Sequence, residues 1–331
     1  VVTKACAWCG SIESIWRATN RDYISGQGFG LLECAGCGLL RTNFQADSAS
    51  LGQYYDAAYY GQGGRRFPAP MEAAIRWFRE ERVRAILAQQ PAPGRILDIG
   101  CGRGLMLAAL QRRGWEVVGT EFAAPLAQAV AAEHGFPVYA DADLSNLALP
   151  AQQFDVITLW HVLEHLPDPL ATLQEVRRLL KVGGLLVIEV PNLESWQAQV
   201  GGGRWFHLDC PRHLYHFGAQ DLSLRLSALG FERIQQQTIS LEYGPYGMLQ
   251  SLLNRLTYQP NVLYARLKRS RPTAPELTPW QRRYDDLITL LGLPLVGLLS
   301  FGLEGMASAF GRGGIVRVVA RRGPGEPSAL E

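Results

Sequence analysis

Seven residues, Asp98-Ile99-Gly100-Cys101-Gly102-Arg103-Gly104, restrict what this chain can fold into more than any other segment. Arg95 to Gly100 reads as a buried strand, and the glycine-rich turn hands it to a helix carrying Leu105 to Leu110. Glycines at 100, 102 and 104 leave backbone uncovered, so a ligand can approach the main chain where bulkier side chains would block it. Nicotinamide-binding proteins also place Gly-x-Gly between strand and helix, but the third glycine of their fingerprint falls at Leu105 here.

Strand and helix patterns alternate around this turn. A helical pattern from Met71 to Gln90, ended by Pro91 and Pro93, leads in. The second strand, Trp115 to Thr120, ends at Glu121, where an acid would accept hydrogen bonds from both hydroxyls of a ribose. A third strand covers Phe136 to Ala140 and a fourth Phe154 to Trp160. A helix over Pro169 to Leu180 and a strand from Leu185 to Asn192 follow, and two more strands are expected at Gly230-Phe231-Glu232 and at Ile315 to Arg321. Such alternation implies an open, mostly parallel sheet with helices on both faces.

From roughly Gly94 to Arg322 these segments resemble the class I S-adenosylmethionine (SAM)-dependent methyltransferases of the ubiquinone-biosynthesis-like superfamily. The resemblance implies that Asp98, Gly100, Cys101, Gly102, Gly104 and Glu121 hold SAM, with Asp143 reading the adenine amine and Trp160 completing the cofactor set. It also implies seven strands, the last of them antiparallel.

Four of the six cysteines form two Cys-x-x-Cys pairs, Cys6/Cys9 and Cys34/Cys37, each followed by a glycine. Four thiolates at this spacing suit a closed tetrahedral Zn2+ site, which is structural rather than catalytic. Redox-active dithiols are the alternative, but the β-α-β setting they need is missing around them. A unit this short has too little core to fold without a metal or another staple. The α/β fold expected is therefore a Rossmann-like seven-stranded sheet with a zinc-ribbon-like N-terminal module and a helical insertion before the last strand. Its bounds are 1–45 for the module and 46–90 for an aromatic, glycine-rich linker with the lead-in helix. The methyltransferase domain is 91–322, with the insertion at 241–313, and 323–331 is a tail. Tyr54 and its neighbours in the linker either close over a substrate or dock the module.

Five of the six histidines, His161, His165, His207, His213 and His216, follow the fourth or fifth strand, where open α/β sheets bind ligands. A hydroxyl acceptor must lose its proton as a methyl group arrives, and histidine is the natural base near neutral pH. Cys210-Pro211-Arg212-His213-Leu214-Tyr215-His216-Phe217 resembles a segment of a bacterial subgroup of these methyltransferases often associated with surface-glycan loci. His213 is the first candidate base, His216 the second, Tyr215 an orienting group and Arg212 an anion anchor. The alternative role of this segment is to fix a loop to the sheet. The stretch from His161 to Pro169 is similar to one that binds a divalent metal through Glu-x-x-Glu-His in related O-methyltransferases. Here His161 replaces the first Glu, so a second metal at His161, Glu164 and His165 is not favoured, and His161 is instead expected to face the SAM sulfur.

Roughly seventy residues lie between Leu241 and Gly313 where a hairpin would suffice, and such length calls for a function. Leu287 to Leu303 carries no charge, and Pro294 with three glycines would interrupt a helix through it. Preceded by the basic Arg266 to Arg271, it reads either as a peripheral membrane contact through 266–303 or as an apolar helix pair buried in the protein or a dimer.

The expected activity is SAM-dependent methylation, with a His base and most readily on oxygen, of a small-molecule or glycan-like, lipid-linked acceptor. RNA methylation is the enzymatic alternative, because some rRNA methyltransferases carry N-terminal zinc modules. A net charge of +2, and Leu159-Trp160-His161-Val162 in place of the Asn/Asp-Pro-Pro-aromatic segment, oppose it and make nucleic acid an unfavoured partner. A SAM-binding protein without turnover is the third reading. The N-terminal residues show no secretory pattern, so the expected location is cytoplasmic, with the inner face of the membrane as a peripheral site.

Overall fold

The computed structural model describes residues 5–44, 54, 69–141, 143–268 and 277–325. Its larger sheet contains β4 (Arg95–Ile99), β5 (Glu116–Thr120), β6 (Val138–Tyr139), β7 (Phe154–Trp160), β8 (Leu180–Pro191), β10 (Phe231–Gln237) and β11 (Ile315–Arg322). A smaller sheet joins β1 (Ser14–Arg21), β2 (Gly28–Cys34), β3 (Leu40–Thr42) and β9 (Tyr215–His216).

The seven strands run in the order β10-β11-β8-β7-β4-β5-β6. The pairs β4 with β5, β4 with β7, β5 with β6 and β7 with β8 are parallel. From β4 the chain steps outward through β5 and β6, then returns to the other side of β4 with β7 and β8. Strand order therefore reverses beside β4, and the carboxyl ends there form the crevice in which such sheets take ligands. The central strands are apolar on both faces, as strands covered on both sides must be. Val83 and Ile86 of the lead-in helix Ala69–Gln89, Leu107 and Leu110 of helix Leu105–Gln111, and Trp115, Trp160 and Val319 make one buried cluster on this sheet. Each such side chain contributes about 1.5–3 kcal/mol by leaving water. Helix Pro169–Leu179 starts where Asp168 caps it by accepting from the Ala171 N–H, with Pro169 in the first turn, where a missing N–H costs nothing.

The chain divides into two compact units, one of 69–190, 220–236 and 317–331, the other of 1–68, 191–219 and 237–316. This redraws the sequence-based bounds. The cysteine module is not a separate bead, because residues far along the chain complete its sheet: Leu40 pairs with His216 and Arg41 with Tyr215. Phe29, Leu31 and Leu40 of the module share a core with Trp205, Leu208 and Cys210. A ribbon this small cannot bury enough apolar surface alone, and the 191–219 segment supplies what it lacks. Tyr54 stacks edge-on against Phe29 and Phe44, so it docks on the module. The other linker tyrosines and 61–66 lie outside the described residues.

The insertion forms helices Gly244–Leu256, Val262–Leu267 and Pro279–Ala309. The expected break at Pro294 does not occur. A reciprocal capping box between Thr278 and Gln281 starts the helix, and the Pro294 ring lies on its exposed side, so the helix continues with one backbone bond lost. Nor is the apolar stretch buried within the chain. The side turned inward carries Asp285, Thr289, Ser300 and Glu304, while Leu290, Leu295 and Leu298 are 65%, 65% and 75% exposed.

Candidate active site and metal centre

At the end of β4, Gly100, Gly102 and Gly104 have φ of +70°, +54° and +66°, a region that disfavours any side chain. Their surroundings differ. An added Cβ at Gly100 would meet Val162 and one at Gly104 would meet Val130, but at Gly102 it would meet nothing within 4 Å. Two of the glycines are thus shut by packing, and the third faces open space. Glu121, buried at the end of β5, accepts from the Gly102 N–H through Oε2 at 3.0 Å and from the Ala123 N–H through Oε1 at 3.3 Å. A bare main-chain cradle beside a carboxylate fits a ligand that carries a ribose next to an amino-acid part, which is the shape of SAM.

Asp98 Oδ1 accepts the Thr158 hydroxyl proton at 2.6 Å across the sheet. Burial raises this carboxyl to about 6, against the pull of Thr158 and Arg82. Cys101 turns its side chain onto Gly119, where an added Cβ would sit 2.7 Å from the sulfur, so only its backbone belongs to the turn. Its thiol is pushed up by burial. Asp143 caps the short helix Leu144–Leu147 by accepting from Ser145. Trp160 departs from its expected role. Its ring is buried, with the guanidiniums of Arg82 and Arg317 over it at 4.7 and 4.9 Å, so the indole already holds two cations.

His161 differs from expectation as well. It sits at φ +56°, with Nδ1 3.4 Å from Glu164 Oε1 and Nε2 3.2 Å from Glu189 Oε1. Burial alone would lower its pKa, but the two carboxylates raise it to about 9. The ring is therefore an imidazolium at neutral pH, with no lone pair to take a proton or bind a metal. Held between these carboxylates, His161 is poorly placed to take an acceptor proton. Glu189 is also paired with Arg317 at 2.7 Å, and Arg317 reaches Glu81 at 3.1 Å, so each buried carboxylate of the network has a cation beside it.

In the other unit, His213 Nδ1 lies 2.7 Å from the His207 carbonyl. A carbonyl can only accept, so Nδ1 donates and a neutral ring carries its lone pair on Nε2, as a general base requires. His216 is held differently. Thr42 gives its one hydroxyl proton to the His213 carbonyl at 2.6 Å, so at 3.3 Å it can only accept from His216 Nε2. Tyr215 is buried beside Phe217. Arg212 does not offer itself to an anion. Its side chain is 0% exposed, bonded to Asp22 and Asp209 at 2.8 and 2.6 Å and stacked over Tyr23.

The four module cysteines converge. Cys6 and Cys37 sulfurs are 3.7 Å apart, those of Cys9 and Cys34 are 3.5 Å apart, and all four lie within 4.8 Å of one another. Four sulfurs bound to Zn2+ at about 2.3 Å stand about 3.8 Å apart, so this cage fits the ion. Both turns are built alike, with Gly10 and Gly38 donating to the Cys6 and Cys34 carbonyls at φ +73°. Burial raises the Cys34 thiol, but the N–H groups of Cys37 and Gly36 and the Cys9 thiol bring it down to about 7.

Thr158, Glu189 and Arg317 do not figure among the sequence-based candidates. Each is a polar residue inside an otherwise apolar strand, and a polar group that folding forces into a core needs a partner there. That signal is readable from sequence, although the identity of the partner is not. Asp22 carries no such signal, because its turn would be polar in any case.

Residues 71–236 match the profile of a family described as a methyltransferase domain. A ubiquinone biosynthesis O-methyltransferase of Cereibacter sphaeroides (strain ATCC 17025 / ATH 2.4.3) is 38% identical over 145 residues, 42% of this chain and 59% of that protein. One from Ruegeria pomeroyi is 36% identical over 130 residues, 38% of this chain and 52% of that protein. The chain thus spans little more than half the length of these curated relatives. Among solved structures, the 1,6-didemethyltoxoflavin-N1-methyltransferase of Burkholderia thailandensis aligns with a TM-score of 0.46 at 14% identity, covering 87% of this chain and 97% of that one.

Proposed function

This chain belongs to the methyltransferase-domain family, and on that footing we propose that it transfers the methyl group of SAM to a hydroxyl oxygen of a small acceptor. The observation that carries the reading is the open cradle at Gly102 beside the Glu121 carboxylate. When bound, SAM supplies a methyl carbon on a sulfonium, and the carbon–sulfur bond breaks with its electron pair remaining on sulfur. Gly102 admits the amino-acid part to the main chain, and Glu121 exchanges its backbone bonds for the ribose hydroxyls. Asp98, tied to Thr158, stiffens the strand end that presents the turn.

His213 is the candidate base for the acceptor proton, since the His207 carbonyl holds its neutral ring in the tautomer with the lone pair on Nε2. His216, bound to Thr42 through Nε2, positions the segment rather than serving as the base. A glycan-like or lipid-linked acceptor presented at the inner face of a membrane is the finer form of this reading, supported by the outward apolar surface of Pro279–Ala309. The Cys6, Cys9, Cys34 and Cys37 cage holds Zn2+ for structure, since four thiolates leave no open position.

Calorimetric titration with SAM and with NAD, followed by tritium transfer from SAM into cell-envelope glycan and lipid extracts, tests the proposal. SAM binding with label in one fraction is the expected result, and His213→Asn should lower kcat about 10²- to 10⁴-fold with little change in SAM affinity. Absence of SAM binding would overturn the reading. Binding without transfer in any fraction would favour a SAM-binding protein without turnover.

A further inference from the structure

Helix Pro279–Ala309 is amphipathic in the sense opposite to that of a soluble protein. Its inward stripe is polar and is bonded to the protein near both ends. Asp285 accepts from the Tyr258 and Gln259 N–H groups at 2.7 and 2.9 Å, and Glu304 accepts from Gln197 Nε2 and the Gly314 N–H at 2.7 and 2.8 Å. Its outward side carries Leu290, Leu291, Leu295, Leu298, Leu299 and Phe301, all more than half exposed. At 100° per residue these outward positions sweep about half of the circumference. A fluid acyl layer covers a half-cylinder of leucines without needing shape complementarity, while the other half stays on the protein.

Both ends carry the side chains that suit a bilayer surface. Trp280 and Tyr284, each packed edge-on against Tyr258, lie before the charge-free stretch, and Phe310, stacked on Trp196, lies after it. Arg282 and Arg283 flank one end and Arg312 the other, while the nearest acid, Asp286, is paired with Arg266. The rim is therefore cationic, which complements anionic headgroups.

The described residues contain one helix long and apolar enough to cross a membrane, with a mean hydropathy of 1.9 over its most apolar window. Two features argue against a crossing. Leu287 to Leu303 spans about 25 Å, short of the roughly 30 Å hydrocarbon core. The inward stripe is also bonded near both ends, through Asp285 and Glu304, to residues of its own unit, so the helix cannot enter a bilayer without them. We propose that Pro279–Ala309 lies in the plane of an anionic bilayer, its outward leucines in the acyl layer and its arginines at the headgroups. This anchoring stands apart from the chemistry proposed for the chain.

Flotation of the full chain tests it, with vesicles of phosphatidylcholine alone and of phosphatidylcholine mixed with phosphatidylglycerol. The protein should float with the mixed vesicles and lose most of that binding at high salt. Leu290→Glu with Leu298→Glu should cut flotation at least about tenfold, and Arg282→Glu with Arg283→Glu should abolish the preference for anionic lipid. Both pairs are exposed positions, and an unchanged melting temperature in each variant shows that a lost signal is not lost folding. Failure of the parent chain to float, or flotation of the leucine variant at the parent level, would overturn the proposal. So would a discrete dimer in light scattering that the leucine variant splits without any vesicle binding, which would assign the surface to a second copy.

Discussion

The Arg212 guanidinium donates to Asp22 Oδ1 at 2.8 Å with both side chains closed off from solvent. One partner belongs to a turn of the cysteine module, the other to the histidine-rich segment, so a charge pair fastens together elements 190 residues apart in the chain. The same guanidinium holds Asp209, whose carboxyl burial alone would raise, and keeps it well below the usual carboxylate range.

Removing Arg212 leaves two carboxylates without their cation, one of them fully enclosed. Arg212→Ala should destabilise the unit containing the module by about 3–5 kcal/mol, because a buried charge left alone costs far more than the pair contributes. Urea unfolding followed by tryptophan fluorescence measures this, and a loss below about 1 kcal/mol would contradict the bracing role.

Zinc should be present at one ion per chain by atomic absorption. Cys34→Ser should release it and lower the melting temperature, since the small β1-to-β3 sheet has little core of its own. Wild-type melting after exhaustive chelation would instead show that the shared core with Trp205 and Leu208 suffices.

Glu121→Ala should weaken SAM binding at least about tenfold, equivalent to about 1.4 kcal/mol. Gly102→Val should have an effect as large for a different reason, since the side chain fills the open cradle and resists φ +54°. Calorimetry separates the two from general unfolding if both variants melt like the parent. An undiminished affinity in Gly102→Val would move the ligand away from this turn.

The buried His161 makes stability depend on pH. Its folded value of about 9 lies above the ordinary 6.5, so its contribution is complete below about pH 6.5 and is lost as pH rises through about 9. Urea midpoints should fall across that window in the parent, and the fall should be reduced in His161→Gln. The loss occurs on the alkaline side, opposite to what a histidine buried in the neutral form would show. A slope equal in both proteins would mean that the imidazolium is not paired.

The sheet was legible because its strands are local patterns. Phe154–Trp160 appears at its predicted bounds, and Ile315–Arg322 within one residue. The glycine turn was legible for the same reason, since a backbone that must be bare or left-handed requires glycine wherever it lies. The roles of Arg212, His161 and Trp160 were not. Each carries a side chain whose chemistry suits a site, and only the groups packed around it decide whether that chemistry is free.

By itself the sequence determined the strand–turn–helix of Asp98 to Gly104, the alternation that makes a parallel sheet, and two Cys-x-x-Cys turns able to grip one metal. These follow from backbone geometry and short-range spacing, which do not depend on distant partners. Tertiary structure alone decided that Arg212 is a brace, that His161 is an imidazolium between Glu164 and Glu189, and that the long helix turns its leucines outward. Burial and pairing belong to residues brought together from far along the chain. Sequence spacing does not encode which atoms meet.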